Sequence, residues 1–535
     1  MAMKFDEKPP SDIQFAGSVS ANSENAEISP VKSDYPDPDV IENEELSSRS
    51  QVPHEEVKMS KIQEVLFVGV IVLGHFMTQA AFSQALAPIM IIRASFDGIP
   101  DPRQNAWAIA AYALTSGTFI LISGRLGDII GHQRIFSLGY AWFLTWSALV
   151  GFSGYSHSQI FFDFTRAMQG IGPALLIPNG LALLARAYPP GLKKNLIFSL
   201  FGFMAPLGFV IGATFSSLFA QLAWWPWAFW SFSIGCLVLF IISLLVVPKP
   251  LLAKSSSPPS FDWKGSFTGV IGLTFINISI TNAPIYGWGT PHVYFLFIIG
   301  ILFMIGFGFV ESRAKNPLLP VRELNSTVGY ILSCVALGWG CFGIWLFYVF
   351  RFLGQLRHKT PLSISAQFAP APISGIIASG FTGFLLTHAP VSLVNLLSMT
   401  AFFTGCTIAA TMPVQQSYWS QMFVAIIVMP FGMDMSFPAA TIVLSNHMPL
   451  EHQGLAASLV VTVVNYSISI ALGIAGTAER GVYDRLMKSH DPHAMVKSLK
   501  AGFYTGMAMS MMGILLATFY FIRSLRKEGW KPVDG

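Results

Sequence analysis

Long apolar stretches, recurring from residue 65 to residue 523 with only short polar breaks between them, leave this chain little choice of fold. The runs cover 65–92, 106–123, 135–154, 160–187, 195–221, 227–247 and 264–284, then 292–311, 329–350, 364–387, 391–411, 420–445, 454–477 and 502–523. Most reach the ~20 residues that a helix needs to cross the hydrocarbon of a bilayer. An unpaired backbone amide in lipid is costly, and the runs lack the alternation of a barrel strand, so helices are predicted throughout. Composition agrees: 53% of residues are hydrophobic and 11% charged, against about a quarter charged in an ordinary soluble protein. The fold expected is an all-α polytopic membrane protein with fourteen transmembrane helices.

Charge sets the orientation. Residues 1–58 carry 13 acids against 5 Lys/Arg, while the remainder carries 15 acids against 27 Lys/Arg. The acidic, Ser/Pro-rich opening reads as a disordered cytosolic arm, and it lacks the basic start and apolar core of a cleaved signal peptide. Placing that arm inside puts Arg125 and Arg134, Lys193 and Lys194, Lys249, Lys254 and Lys264, and Arg313, Lys315 and Arg322 on inner loops, as the positive-inside rule requires. Arg351, Arg357 and Lys359 break the pattern, as does a polar loop expected around Arg480, Arg485 and Lys488. The four cysteines, Cys236, Cys334, Cys341 and Cys406, lie in apolar runs without metal-ligand spacing and read as small buried hydrophobes.

An internal echo suggests a duplication. Gly172, Pro178 and Pro189 recur 260 residues later as Gly432, Pro438 and Pro449. A parallel repeat of six helices with two further helices between the copies gives such an offset, and parallel repeats are a transporter architecture. The expected division is a tail at 1–58, a six-helix bundle at 62–248, a linker with two inserted helices at 249–325, a second six-helix bundle at 326–523, and a cytosolic tail at 524–535.

Three segments carry chemistry. The loop after the second run reads Gly124-Arg125-Leu126-Gly127-Asp128-Ile129-Ile130-Gly131-His132-Gln133-Arg134. Its glycines let helix ends approach, and Asp128 can cap a helix or pair with an arginine, so Gly124, Arg125, Asp128, Gly131 and Arg134 form a candidate inner-face latch. In the fourth run, Arg166-Ala167-Met168-Gln169-Gly170 places an arginine deep in apolar surroundings, with Asp163 one turn before it. Such a residue faces a cavity or a partner, or else snorkels to the interface. The fifth run, Gly202-Phe203-Met204-Ala205-Pro206-Leu207-Gly208-Phe209-Val210-Ile211-Gly212, combines a helix-bending proline with the close-packing glycines Gly208 and Gly212.

These segments resemble the signature loop, the arginine motif and the antiporter motif of the major facilitator superfamily. Together with Phe261-Asp262-Trp263-Lys264-Gly265 and Tyr286-Gly287-Trp288 they resemble its 14-helix drug:proton antiporter branch, and within it the fungal aminotriazole-resistance and low-affinity ammonium transporter group. The resemblance covers roughly residues 60–525. It implies the major facilitator fold, two six-helix bundles rocking about a midplane site, and proton coupling at the arginine motif. The sequence departs from it where Ala205 and Ile129 replace a usual glycine and a usual basic residue, and where Gln79 or a neighbour stands in place of a first-span aspartate.

Asp163 and Asp434 are the acids away from the ends of the apolar runs, so Asp434, Arg166 and Asp163 are the proton-coupling candidates; His75 is a further titratable group. Gln79, Gln84, Gln169, Asn179, Trp339 and Trp345 are candidates to line the substrate cavity. The expected function is export of a drug, toxin or secondary metabolite in exchange for protons. The alternatives are facilitated passage of a small polar solute such as ammonium or borate, and a non-transporting membrane sensor. A P-loop and an HExxH pair are missing, which argues against an enzyme. The expected partners are membrane lipid, a small-molecule substrate and protons, in a monomer of the cell membrane or the vacuolar membrane, with no nucleic acid, metal or cofactor.

Overall fold

The structure is a computed structural model that describes residues 59–98, 102–189, 191–248, 261–314, 317–319, 325–447 and 453–530. The acidic arm at 1–58 and the C-terminal residues 531–535 lie outside the described residues, as do Lys249, Lys254, Lys315, Arg322 and Pro449. Glu56–Gly535 forms one compact unit, and among the described residues every regular element is a helix.

Among the described residues fourteen helices are long and apolar enough to cross a membrane. They are α1 (Lys61–Gln84), α2 (Arg103–Ile130), α3 (His132–Ser156), α4 (Gln159–Ala187), α5 (Leu192–Leu222), α6 (Pro226–Val246), α7 (Trp263–Tyr286), α8 (Pro291–Glu311), α9 (Ser326–Leu356), α10 (Pro361–His388), α11 (Val391–Thr411), α12 (Tyr418–Asn446), α13 (Ala457–Lys488) and α14 (Ala494–Lys527). Several start where a polar side chain takes up a free backbone amide. Ser60 accepts from Gln63 N at 3.2 Å, Ser158 from Phe161 N at 3.3 Å, Asp262 from Gly265 N at 2.8 Å and Asn325 from Val328 N at 3.0 Å.

The edges depart from the apolar runs in three places, each with a local cause. The first run, expected to 92, breaks at Gln84; the chain turns through Pro88, which has no amide to donate, into a short outer helix, Ile89–Ala94. The tenth span is interrupted by a turn at 368–370, at Pro370. The thirteenth run, expected to end at 477 in a polar loop, continues as helix to Lys488, so Arg480 and Arg485 are helical residues. The aromatic segment at 224–229 divides between the protein interior and the surface. Trp225 is buried beneath the short outer helix and donates to Ser95 Oγ at 3.0 Å, while Trp227 is the exposed member.

Two of the echoed positions are packed alike. α3 packs on α4 and α11 on α12. Gly172 of α4 leaves room for Phe143 of α3, and Gly432 of α12 leaves room for Phe402 of α11; a Cβ at either glycine would stand 2.7 Å from the ring. The first and last six helices meet along two seams, α2 with α13 and α5 with α10. On the first, Ser469 Oγ donates to Ala110 O at 2.9 Å, and Gly117 abuts the backbone of Tyr466. On the second, the polar contacts lie toward the outer end: Ser217 Oγ and Ser365 Oγ are 2.9 Å apart, and Leu362 N donates to Gln221 Oε1 at 2.7 Å. At their inner ends Leu196 and Leu200 of α5 and Ile377 and Phe384 of α10 are exposed. α7 sits against α2 and α13, with α8 on its far side.

Arg351, expected in an outer loop, instead lies buried in α9 and grips Glu479 of α13 with both amino groups, at 2.7 and 2.9 Å, while Tyr348 Oη donates to the same carboxylate at 2.8 Å. Removing one partner of such a pair leaves a buried charge uncompensated. Glu479→Ala should therefore cost about 3–5 kcal/mol, and the double variant Arg351→Met/Glu479→Leu should recover most of it; thermal melting of the three purified proteins is the measurement.

Candidate transport site and inner-face latch

Arg166 is fully buried, which removes the snorkelling alternative. Its Nε donates to Ala108 O of α2 at 3.1 Å, its Nη1 bonds Gln169 Oε1, and its guanidinium lies 4.7 Å from the centre of the Tyr112 ring. Tyr112 Oη in turn donates to Thr78 O of α1 at 2.7 Å, and Gln169 Nε2 to Ser147 Oγ of α3 at 2.8 Å. The arginine thus draws four helices together. Asp163 does not join it: the pairing that the i, i+3 spacing favoured is replaced by a bond from Gln159 Nε2 at 3.1 Å. Arg166 bonds instead to Ala108 O of α2 and to Gln169 Oε1 of its own helix.

Asp434 stands elsewhere. It is half-buried on α12, and its Oδ2 lies 3.3 Å from the place of a Cβ on Gly375 of α10, with Pro206 Cγ of α5 at 3.8 Å from the same point. The proline of the fifth-run motif and the only acid of α12 therefore converge, from opposite bundles, on a glycine. Among the described residues Asp434 makes no hydrogen bond or ion pair.

Above this point an aromatic column closes the outer side. Trp339 donates to Ser436 Oγ at 3.0 Å, its ring meets Phe342 edge-on, and Phe342 stacks on Trp345. Trp345 meets Phe368, which stacks on Phe350 with centroids 4.7 Å apart, and Phe209 of α5 completes the group. The indole N–H of Trp345 is buried without an acceptor.

The other cavity candidates are distributed differently. Gln79 is half-buried on α1. Gln84 is buried at the outer end of α1 and donates to Ala228 O of α6 at 3.1 Å; Gln169 serves Arg166; and Asn179 belongs to the latch. His75 bonds Phe201 O at 2.8 Å and stacks on that ring, a satisfied histidine between α1 and α5.

The latch centres on the turn at Gly131, whose φ of 109° lies in a region that side chains avoid. Asp128 faces His132 at 3.3 Å and Arg186, at the inner end of α4, at 3.7 Å. His132 Nδ1 and Asn179 Oδ1 are 2.8 Å apart, and Asn179 Nδ2 reaches Ser123 Oγ at 2.9 Å and Leu175 O at 2.8 Å. Both groups press on Gly127, where no side chain fits. Arg125 donates to Pro317 O, beyond α8, at 3.2 Å; Gly124 lies near Ser458 of α13, and Arg134 is exposed. In α5, Gly208 meets the Phe76 carbonyl and Gly212 meets Ala80 of α1, whereas Gly202 faces open space. Sequence reasoning assigned no role to His132, Arg186, Arg351 or Glu479. Two carried a signal: His132, as a titratable residue inside the latch segment itself, and Arg351, as a charge that broke the positive-inside pattern.

A two-bundle helical fold with close glycine contacts at its inner face and, among the described residues, an acid without a hydrogen bond or ion pair between the bundles points to a class, the secondary transporters. The model of the Major Facilitator Superfamily matches residues 68–474, and the chain belongs to that superfamily. It is 52% identical over 466 residues to the low affinity ammonium transporter of Saccharomyces cerevisiae, covering 86% of this chain and 89% of that protein. It is 39% identical over 483 residues to the efflux pump terJ of Aspergillus terreus, covering 89% and 92%. Similarity to the aminotriazole resistance protein of S. cerevisiae is 36% over 470 residues, covering 87% and 85%. The protein is an integral membrane transporter, and the sensor alternative has no counterpart among these relatives.

The latch separates charge from burial. Asp128 is 44% exposed, so Asp128→Ala should change stability by less than about 1 kcal/mol, whereas Asn179→Ala, which strands buried groups, should cost about 1–3 kcal/mol. Melting the two variants side by side checks the contrast.

Proposed function

We propose that this protein exports a small molecule in exchange for protons, with Asp434 as the residue that takes up and releases the proton. The observation that carries this reading is the meeting of Asp434, Gly375 and Pro206 across the two bundles, with no cation or donor assigned to the acid. A carboxylate in such a place is costly to keep charged, so its protonation and the separation of α5 from α10 are linked. In the arrangement described, the aromatic column and the Ser217–Ser365 contact shut the outer route. Release of substrate outward requires that column to part, and Trp339 and Trp345 then flank the path. Arg166 holds the N-terminal helices in register rather than touching the substrate. The efflux function in the name of one relative supports the direction. Both bundles come from one chain, and the working unit proposed is a monomer in the cell membrane.

A second reading, facilitated passage of a small polar solute, is favoured by the 52% identity to a protein named for ammonium transport. Asp434→Asn distinguishes the two. In proteoliposomes the exchange reading expects loss of transport driven by a pH gradient with normal membrane insertion. Flux that persists both in that variant and in wild-type protein with the gradient collapsed would establish the second reading instead.

A further inference from the structure

Two acids that the transport cycle above does not use meet at the inner ends of α7 and α8. Asp262 caps α7 through Oδ1, which accepts from Gly265 N at 2.8 Å, and its Oδ2 is buried without a partner. Glu311, the last residue of α8, is 3% exposed. Its Oε2 accepts from Leu319 N at 3.1 Å, and its Oε1 is likewise buried without a partner. These two orphan oxygens face the same point: a Cβ on Gly265 would stand 2.5 Å from Asp262 Oδ2 and closer still to Glu311 Oε1. The glycine is what lets them approach. Ser266 is 6% exposed, and its hydroxyl also lacks a partner; helical spacing sets it on the face of α7 that Asp262 occupies.

Two negative charges this close, and out of water, repel strongly, and one proton between them removes the conflict. We propose that Asp262 and Glu311 bind a single proton, held as Glu311 Oε1–H donating to Asp262 Oδ2. The assignment follows from the helix ends. Each acid accepts a backbone N–H through its other oxygen, so the helix ends decide: Asp262 sits at a helix N-terminus, which favours an anion, and Glu311 at a helix C-terminus, where the backbone carbonyls disfavour one. The remaining charged group that acts on Glu311 is Arg125 of α2, whose guanidinium holds Pro317 O two residues before Leu319. The proton therefore lies beside Leu319, two residues from the Pro317 carbonyl that Arg125 holds.

The test is thermal melting of the purified full chain between about pH 5 and about pH 9. A free glutamate has already lost its proton over this range. The folded state then binds one proton more than the unfolded state, and stability falls with rising pH until that proton leaves. Glu311→Gln, whose amide can donate to Asp262, should lose this component of the pH dependence. So should Asp262→Asn, which keeps the cap. An unchanged pH slope in both variants overturns the proposal. So does a saturable rise in the wild-type melting temperature with Mg2+ or Ca2+ alone at neutral pH that Glu311→Gln abolishes, because the site would then hold a metal ion.

Discussion

Inside hydrocarbon an ionised group has no water to turn to, so each buried charge here must be settled by the protein itself. Arg166 and Arg351 show two ways of doing this. Arg166 spreads its charge over a carbonyl, an amide oxygen and a tyrosine face, none of them ionised, and binds α4 to α2 and through it to α1. Arg351 meets a full carboxylate and binds α9 to α13. The geometry of each half follows from these commitments, because apolar packing alone drives helices together weakly when lipid is as oily as their side chains. Asp434 differs from both in making no such commitment, and it stands where the halves meet.

The helices were legible because a run of apolar residues long enough to span is hard to read in any other way. One echoed pair was legible too: Gly172 and Gly432 each admit an aromatic ring from the preceding helix, so the same spacing carries the same contact. Legibility failed where a helix outlives its apolar run. α13 passes position 477 without a break, and its continuation carries Glu479 to the buried Arg351; hydropathy reports solvent preference, not where a backbone stops. Among site residues, the latch glycines and the arginine motif could be read from residue type. Facing could not. Asn179 and Gln169 looked like cavity residues because a polar group in an apolar run needs a partner, but the sequence does not say on which side of the helix that partner stands.

The contacts of Gly208 and Gly212 with the backbone of α1 reach into mechanics. With nothing but hydrogen between them, the two helices have no side-chain cushion to compress, so α1 and the outer part of α5 turn as a single lever. Pro206 lies at the near end of that lever, directly across from Gly375. Under the proton exchange proposed above, a tilt of the first bundle would reach the neighbourhood of one carboxylate undamped, and a proton arriving there would push back on the whole arm.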